Sequence, residues 1–153
     1  MTNLEVLLGR LAIAHRERYA NDSSEMAPMI MTFKDNVILN IYVVPNLMSP
    51  EIKPLTHSII EQMVHDDGAE GYVLHSEAWM STDTTCMPSD SPDRVEVIIM
   101  NGFTARSTAF MMLEIVRGEN ENVVELRDHE NNRAVDMWSR FDIYSRQPTS
   151  TVH

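Results

Sequence analysis

The sequence predicts an α+β fold: a single antiparallel sheet of five to six strands, with two or three helices packed mainly on one face. Two observations support this prediction. Apolar residues recur at helical spacing at the N-terminus and again near residue 60, and the other apolar runs alternate with polar residues as strands do. In chain order the elements are a helix, two strands, a second helix, three or four strands and a last element of mixed character.

The first helix and the hairpin after it follow from capping and turn residues. The helix begins at Asn3, a residue that can cap it, and extends to about Tyr19. The runs PMIMTF and VILNIYVV then flank Asp35 and Asn36, which tolerate the positive φ of a tight turn. Residues 37–44 are apolar on both faces, and we therefore expect a central strand that is covered on both sides.

The second helix has clear start and stop signals. Ser49 can cap it, Pro50 suits the first helical position, and Gly68 after Asp67 suits a left-handed stop. Two strand-like runs then flank a polar loop, and two more runs follow, which predicts an antiparallel meander. Residues 132–144 fit helical spacing somewhat better than strand spacing.

Length and composition indicate one globular domain, residues 1–144, with a polar tail over residues 145–153. No apolar run approaches the roughly 20 residues of a membrane span, and the N-terminus lacks the features of a secretory signal. The only cysteine, Cys86, lies in a predicted loop without a neighbouring base, which is typical of an incidental thiol in a reducing compartment. We therefore expect a cytoplasmic protein, or one assembled inside a cell.

The charge balance bears on the class of partner. Twenty-three acidic and twelve basic residues give a net charge of -11, which disfavours binding to nucleic-acid phosphates. The acidity is explained by a solvated surface, although a surface that mimics nucleic acid is an alternative. The chain contains twelve methionines. Methionine fills irregular cores in some proteins and lines adaptable binding surfaces in others, and here we favour the core.

The candidate site residues surround the Cys86 loop. The side chains of His75, Glu77 and Trp79 share one face of the first strand-like run, residues 72–81. The loop and the start of the next run, residues 94–103, add the other three candidates, Asp93, Arg94 and Glu96. Either these six residues form a ligand site, or they are solvated polar groups with a Trp lid.

We favour the solvated arrangement for these residues, with Arg94 bracing the loop against Glu77 or Glu96 and Asp93 bonding backbone N–H groups of its own turn. His15 is expected at the surface. A divalent metal held by His75, Glu77 and loop carboxylates is the alternative, which would make the protein a metal-dependent hydrolase or sensor. Under the favoured, solvated arrangement we predict no cofactor, no metal site and no catalytic residue.

Two short segments carry a resemblance. Ser76–Met80 (SEAWM) and Ser91–Val97 (SPDRVEV) resemble segments of a group of uncharacterised bacterial and phage proteins. That group has no assigned activity, and the resemblance implies at most a bacterial or phage origin. If a phage encodes the chain, we expect a small virion protein or a host-interaction protein. The element order is also similar to that of roadblock and profilin-like domains, most of which are binding or scaffolding modules.

Together these features predict a non-catalytic module for protein interaction or assembly, with a protein partner or a second copy as its ligand. The absence of catalytic motifs, the abundant methionine and the two-sided apolar sheet support that prediction. A small-ligand or metal-dependent site around His75, Glu77, Asp93 and Arg94 is the alternative function.

Overall fold

The computed structural model of the chain describes residues 2–44, 51–81, 85–128 and 141–143. It confirms the α+β prediction. The described residues form two α-helices and seven strands, in chain order α1 (Asn3–Asn21), β1 (Met29–Lys34), β2 (Val37–Val43), α2 (Thr56–Asp67), β3 (Gly71–Met80), β4 (Val95–Thr104), β5 (Thr108–Arg117), β6 (Val123–Asp128) and β7 (Phe141–Ile143).

The strands form one antiparallel sheet in the order β2-β1-β3-β4-β5-β6. The neighbours β3 to β6 are consecutive in the chain, which confirms the predicted meander. β7 pairs with residues 78–80 of β3, on the same edge of β3 whose residues 71–75 pair with β1. Part of the predicted element over residues 132–144 is therefore a strand, and its other residues lie outside the described ranges.

Local signals account for most element boundaries. Asp35 and Asn36 have φ values of 52° and 61°, as predicted for the tight turn between β1 and β2. Gly68 ends α2 with φ 63°. The cap of α1 is one residue earlier than predicted, because the Thr2 hydroxyl accepts the Glu5 N–H while the Glu5 carboxylate accepts the Thr2 N–H.

The start of the second helix differs from the prediction where the structure describes it. A short 3₁₀ turn, Lys53–Leu55, precedes α2, which begins at Thr56. The predicted cap and first helical residue, Ser49 and Pro50, lie outside the described residues.

The two helices lie on opposite faces of the sheet, which corrects the prediction that they share one face. Leu8 of α1 packs in one apolar cluster with Met31 and Val73. Ile60 of α2 packs in another cluster with Ile30 of β1 and Leu74 of β3, which are the chain neighbours of Met31 and Val73. Since successive side chains of a strand point to opposite faces, the sheet lies between the helices.

β2 is an edge strand, which makes the prediction of a central position wrong. It pairs with β1 and is the outermost strand of the sheet order. Its burial is correspondingly low, with four of its large apolar side chains exposed. Apolarity on both faces usually reflects cover on both faces, and the residues that the structure describes leave these four side chains uncovered.

No described helix has both the length and the apolar composition needed to cross a membrane.

Candidate functional site

His75 and Glu77 lie on the face of the sheet that α1 covers. Their exposed fractions are 0% and 1%, so the expectation that they are solvated is wrong. The reason is that α1 packs over this half of β3, with its own residues His15 and Tyr19 buried against the sheet. Side chains placed in this way hold the fold together and cannot meet a solute directly.

The imidazoles of His75 and His15 stack on each other, with ring centroids 4.3 Å apart and planes inclined by 20°. His15 is therefore buried, and its predicted surface position is wrong. Neither ring nitrogen of His75 has a hydrogen-bond partner among the described residues. Burial lowers the pKa of His15 from 6.5 to about 4, with a smaller contribution from the Arg18 charge. Burial also lowers the pKa of His75 well below 6.5, and the charges of His15 and Arg18 act in the same direction.

The Glu77 carboxylate ties the segment after α1 to the sheet. Its Oε2 accepts the Met26 N–H at 3.1 Å. The hydrogen bond is partly buried and joins residues 51 positions apart in the chain. This contact gives Glu77 a structural role in holding the α1–β1 connection against β3.

Glu96 pairs with Arg117 and not with Arg94. The guanidinium makes two hydrogen bonds to the carboxylate, Nε to Oε1 at 2.6 Å and Nη2 to Oε2 at 3.2 Å. The two side chains are only 9% and 11% exposed, and Arg117 also donates to the carbonyls of Ser23 and Glu121. Glu96 is thus part of a buried bidentate pair that joins β4, β5 and the loops beside them.

Arg94 braces its loop by stacking. Its guanidinium lies over the Trp79 ring, 4.4 Å from the ring centroid, and donates to the Ser89 carbonyl. The predicted contact of Arg94 with Glu77 or Glu96 is therefore replaced by a cation–π contact. In the same loop the backbone N–H of Asp93 donates to the Ser91 hydroxyl at 3.2 Å, where the prediction had the Asp93 carboxylate as acceptor.

The structure does not gather the six candidates into one site. His75, Glu77, Trp79 and Glu96 lie on the face toward α1, and the exposed Asp93 lies two residues beyond the β3–β4 ladder. Along the strand direction it is roughly 20 Å from His75 at the usual rise per residue. Within residues 2–44, 51–81, 85–128 and 141–143, no group of three or more His, Cys, Asp or Glu side chains could hold a metal ion.

The outer edge of β2 is a candidate binding feature that the sequence did not reveal. The exposed fractions of its large apolar side chains are 60% for Val37, 39% for Leu39, 56% for Ile41 and 58% for Val43. β1 occupies one side of the strand, and the described part of the chain places nothing against the other. The charge-free run VILNIYV is the signal that could have revealed this edge, but its apolarity on both faces favours a central strand of the sheet.

Polar contacts on the α2 face hold β2 in place. The carboxylate of Asp67, the last residue of α2, accepts hydrogen bonds from Thr32 at 2.6 Å, Asn40 at 3.0 Å and Tyr42 at 2.8 Å. The hydroxyl of Thr32 is the largest cause of a lowered pKa of Asp67, and the bond to Asp67 raises the pKa of Tyr42. These bonds fix the position of β2 even though its apolar side chains are exposed.

No protein-family model, no curated protein and no solved structure matches this chain.

Proposed function

We propose that this protein is a non-catalytic interaction or assembly module that binds a strand of a protein partner along the outer edge of β2. The observation that carries the proposal is an edge strand with exposed, charge-free apolar side chains, held in position by Asp67. An edge strand presents a row of N–H and C=O groups that can extend the sheet into another chain.

The two ends of the sheet differ in the way this proposal requires. β6, at the other end, carries Glu125, Arg127 and Asp128, and charged side chains are a common protection against unwanted strand pairing. β2 contains neither a charged residue nor a proline. Its one irregularity is a bulge at Leu39, the residue that is skipped where Thr32 pairs with Asn40 and Phe33 pairs with Ile38, and the pairing of residues 40–43 is regular.

Energetics favour an extended strand over a flat apolar surface as the ligand. Val37, Leu39, Ile41 and Val43 are about half exposed, so covering each contributes about 1 kcal/mol. The sum, about 4 kcal/mol, only reaches the lower end of the cost of lost translational and rotational freedom. Main-chain hydrogen bonds, at about 1 kcal/mol each, must supply the remainder, and a partner provides them only as a strand.

Site-specific photo-crosslinking tests the proposal with a matched control. Ile41 on β2 and Ile13 on α1 are the same residue type and are both 56% exposed. Each is replaced in turn by p-benzoylphenylalanine, and cells that produce the protein are irradiated. We expect defined crosslinked products from position 41, lost when Val43→Lys is added, and none from position 13. Equal products from both positions, or none from position 41, would refute the proposal.

The alternative, a small-ligand or metal-dependent site at His75, Glu77, Asp93 and Arg94, gains no support from the geometry. His75 and Glu77 are buried beneath α1, whereas Asp93 is exposed in the loop, roughly 20 Å from His75, and the Arg94 guanidinium is stacked on Trp79. Catalysis requires a shared reacting position near all the groups involved. A cytoplasmic or virion location and a phage origin fit an assembly role, and both stay predictions.

A further inference from the structure

We propose that residues 13–27, the second half of α1 and most of its connection to β1, form a flap that opens from the sheet in mild acid while the strands stay paired. The stacked imidazoles of His15 and His75 keep the flap closed when both rings are neutral. This inference concerns the α1 side of the sheet and is independent of the partner proposed for β2.

The surroundings of the two rings offer little to a positive charge. Nε2 of His15 and both ring nitrogens of His75 have no hydrogen-bond partner among the described residues. The strands on either side of β3 place Met29 and Met100 opposite His75. A proton added to either ring would therefore put a charge among apolar groups, which is costly unless the ring reaches water.

The charged and titratable groups near the pair do not offset that cost. From α1, the Arg18 charge disfavours protonation of both rings, and the buried Tyr19 hydroxyl has no hydrogen-bond partner within the described part of the chain. From β3, Glu77 is two residues from His75, roughly 7 Å along the strand, and its Oε2 accepts the Met26 N–H. Opening of the flap instead brings water to both rings, so that each can carry a proton.

The flap buries less apolar surface than the first half of α1 does. The first half buries four apolar side chains, Leu4, Leu7, Leu8 and Ala12. In residues 13–21 the buried side chains are those of His15 and Tyr19, and both carry a polar atom that no described residue bonds. The second half of the helix can therefore leave the sheet while the first half stays packed.

Side chains make the contacts that tie the flap to the sheet. Arg16 Nε donates to the Leu126 carbonyl at 3.1 Å, and the Val123 N–H donates to the Ser23 hydroxyl at 2.9 Å. Together with the contact between Glu77 and Met26, these bonds can break without separating any two strands. Opening of the flap is thus a local event of the kind that precedes global unfolding in many proteins.

The size of the acid effect follows from His15, whose pKa is lowered from 6.5 to about 4 in the closed state. In the opened flap the ring has its ordinary pKa, so proton uptake favours opening as the pH falls below 6.5. Relative to pH 7.5, His15 alone should raise the opening constant about fourfold at pH 6 and about 30-fold at pH 5. His75 adds to the rise, because burial lowers its pKa as well.

Hydrogen–deuterium exchange of the whole chain, measured by mass spectrometry at low urea concentrations, separates this opening from global unfolding. Opening of residues 13–27 exposes little surface, so its free energy should depend only weakly on urea, whereas exchange of β4 through global unfolding has the full urea dependence. We expect the weak dependence in residues 13–27. After correction for the intrinsic exchange rate at each pH, their opening constant should rise by at least about fourfold at pH 6 and about 30-fold at pH 5.

Three variants assign the effect to the stacked pair. His15→Phe keeps a ring against His75, and His15→Gln is a smaller replacement in case the phenyl ring does not fit. In both, the rise at pH 5 should be about 30-fold smaller than in the wild type. His65→Gln removes an imidazole that is 85% exposed and should keep the full rise.

Two results would overturn the inference. If residues 13–27 and β4 show the same opening free energy and the same urea dependence at every pH, α1 leaves the sheet only when the whole chain unfolds. If the opening constant rises equally in the wild type and in both His15 variants, or does not rise in acid, the stacked pair does not control the flap.

Discussion

The stacked pair of His15 and His75 predicts that the protein loses stability in mild acid. Both imidazoles are buried between α1 and the sheet, and both are neutral near pH 7. Arg18 is the nearest cation, and the buried Glu77 is on the same face of β3. Protonating either ring in the folded state places a charge in a dry interface beside another basic group.

The magnitude follows from the pKa of His15, which falls from 6.5 in the unfolded chain to about 4 in the folded one. Between these values the unfolded state binds the proton and the folded state does not, so the free energy of unfolding falls as the pH is lowered. The slope is about 1.4 kcal/mol per pH step, which makes about 2 kcal/mol at pH 5 and about 3 kcal/mol below pH 4. His75 adds to this loss in the same direction. A total stability of about 5–15 kcal/mol is typical, so the effect is large.

The assay is urea unfolding at a series of pH values from 7.5 to 4.5, with the free energy of unfolding extrapolated to water at each. His15→Phe keeps a ring against His75 but cannot be protonated. We expect this variant to lose about 2 kcal/mol less than the wild type between pH 7 and pH 5. His65→Gln is the matched control, because its imidazole is 85% exposed, and it should follow the wild-type curve.

Equal pH dependence in the wild type and His15→Phe would refute the reasoning, since it would mean that His15 takes up its proton as readily in the folded state as in the unfolded one. The Asp67 carboxylate does not confuse this result. The lowered pKa of Asp67 means that its stabilising contribution is present above pH 3.8 and is lost only as the pH falls further. The His15 effect is developed between pH 6.5 and about pH 4.

Two further predictions concern packing and the anchoring of β2. A Cβ at Gly102 would lie 2.7 Å from Cδ1 of the buried Leu4, so Gly102→Ala should cost about 1–3 kcal/mol in urea unfolding. Gly9→Ala, in helix α1 with nothing within 4 Å, should instead add up to about 1 kcal/mol, and a loss there would contradict the packing of α1. Asp67→Asn removes the charge of a carboxylate that accepts hydrogen bonds from three side chains. We expect faster amide hydrogen exchange in β2 and a lower melting temperature. The neighbouring substitution Asp66→Asn should have neither effect.

The sequence was sufficient for those parts of the fold that depend on local chemistry. Asp35 and Asn36 specify a tight turn because few other residue types accept a positive φ there, and Gly68 ends α2 for the same reason. The alternation of β3 and β4 also correctly placed His75, Glu77 and Trp79 on a common face. In each case the deciding interactions lie within a few residues of one another.

The environment of that face depended on interactions between distant residues, and the sequence could not supply it. Whether His75 is solvated depends on which element covers β3, and the covering residue, His15, is 60 positions away in the chain. An imidazole in an alternating strand usually faces water, because burying it without a hydrogen bond is costly. The pairing of Glu96 with Arg117 was missed for a similar reason, since the interpretation considered only Arg94, its neighbour in sequence.

The error about β2 has a different origin, which bears on the function. Two-sided apolarity predicted an interior strand, and in the part of the chain that the structure describes β2 has only β1 as a neighbour. If a partner strand pairs along the outer edge of β2, as we propose, β2 acquires its second neighbour and becomes an interior strand of the extended sheet. Selection for the bound state would then account for apolar side chains such as Ile41 and Val43, which are exposed in the chain by itself. The run VILNIYV then reflects the environment of the bound state, and its absence of charge leaves this edge open to strand pairing.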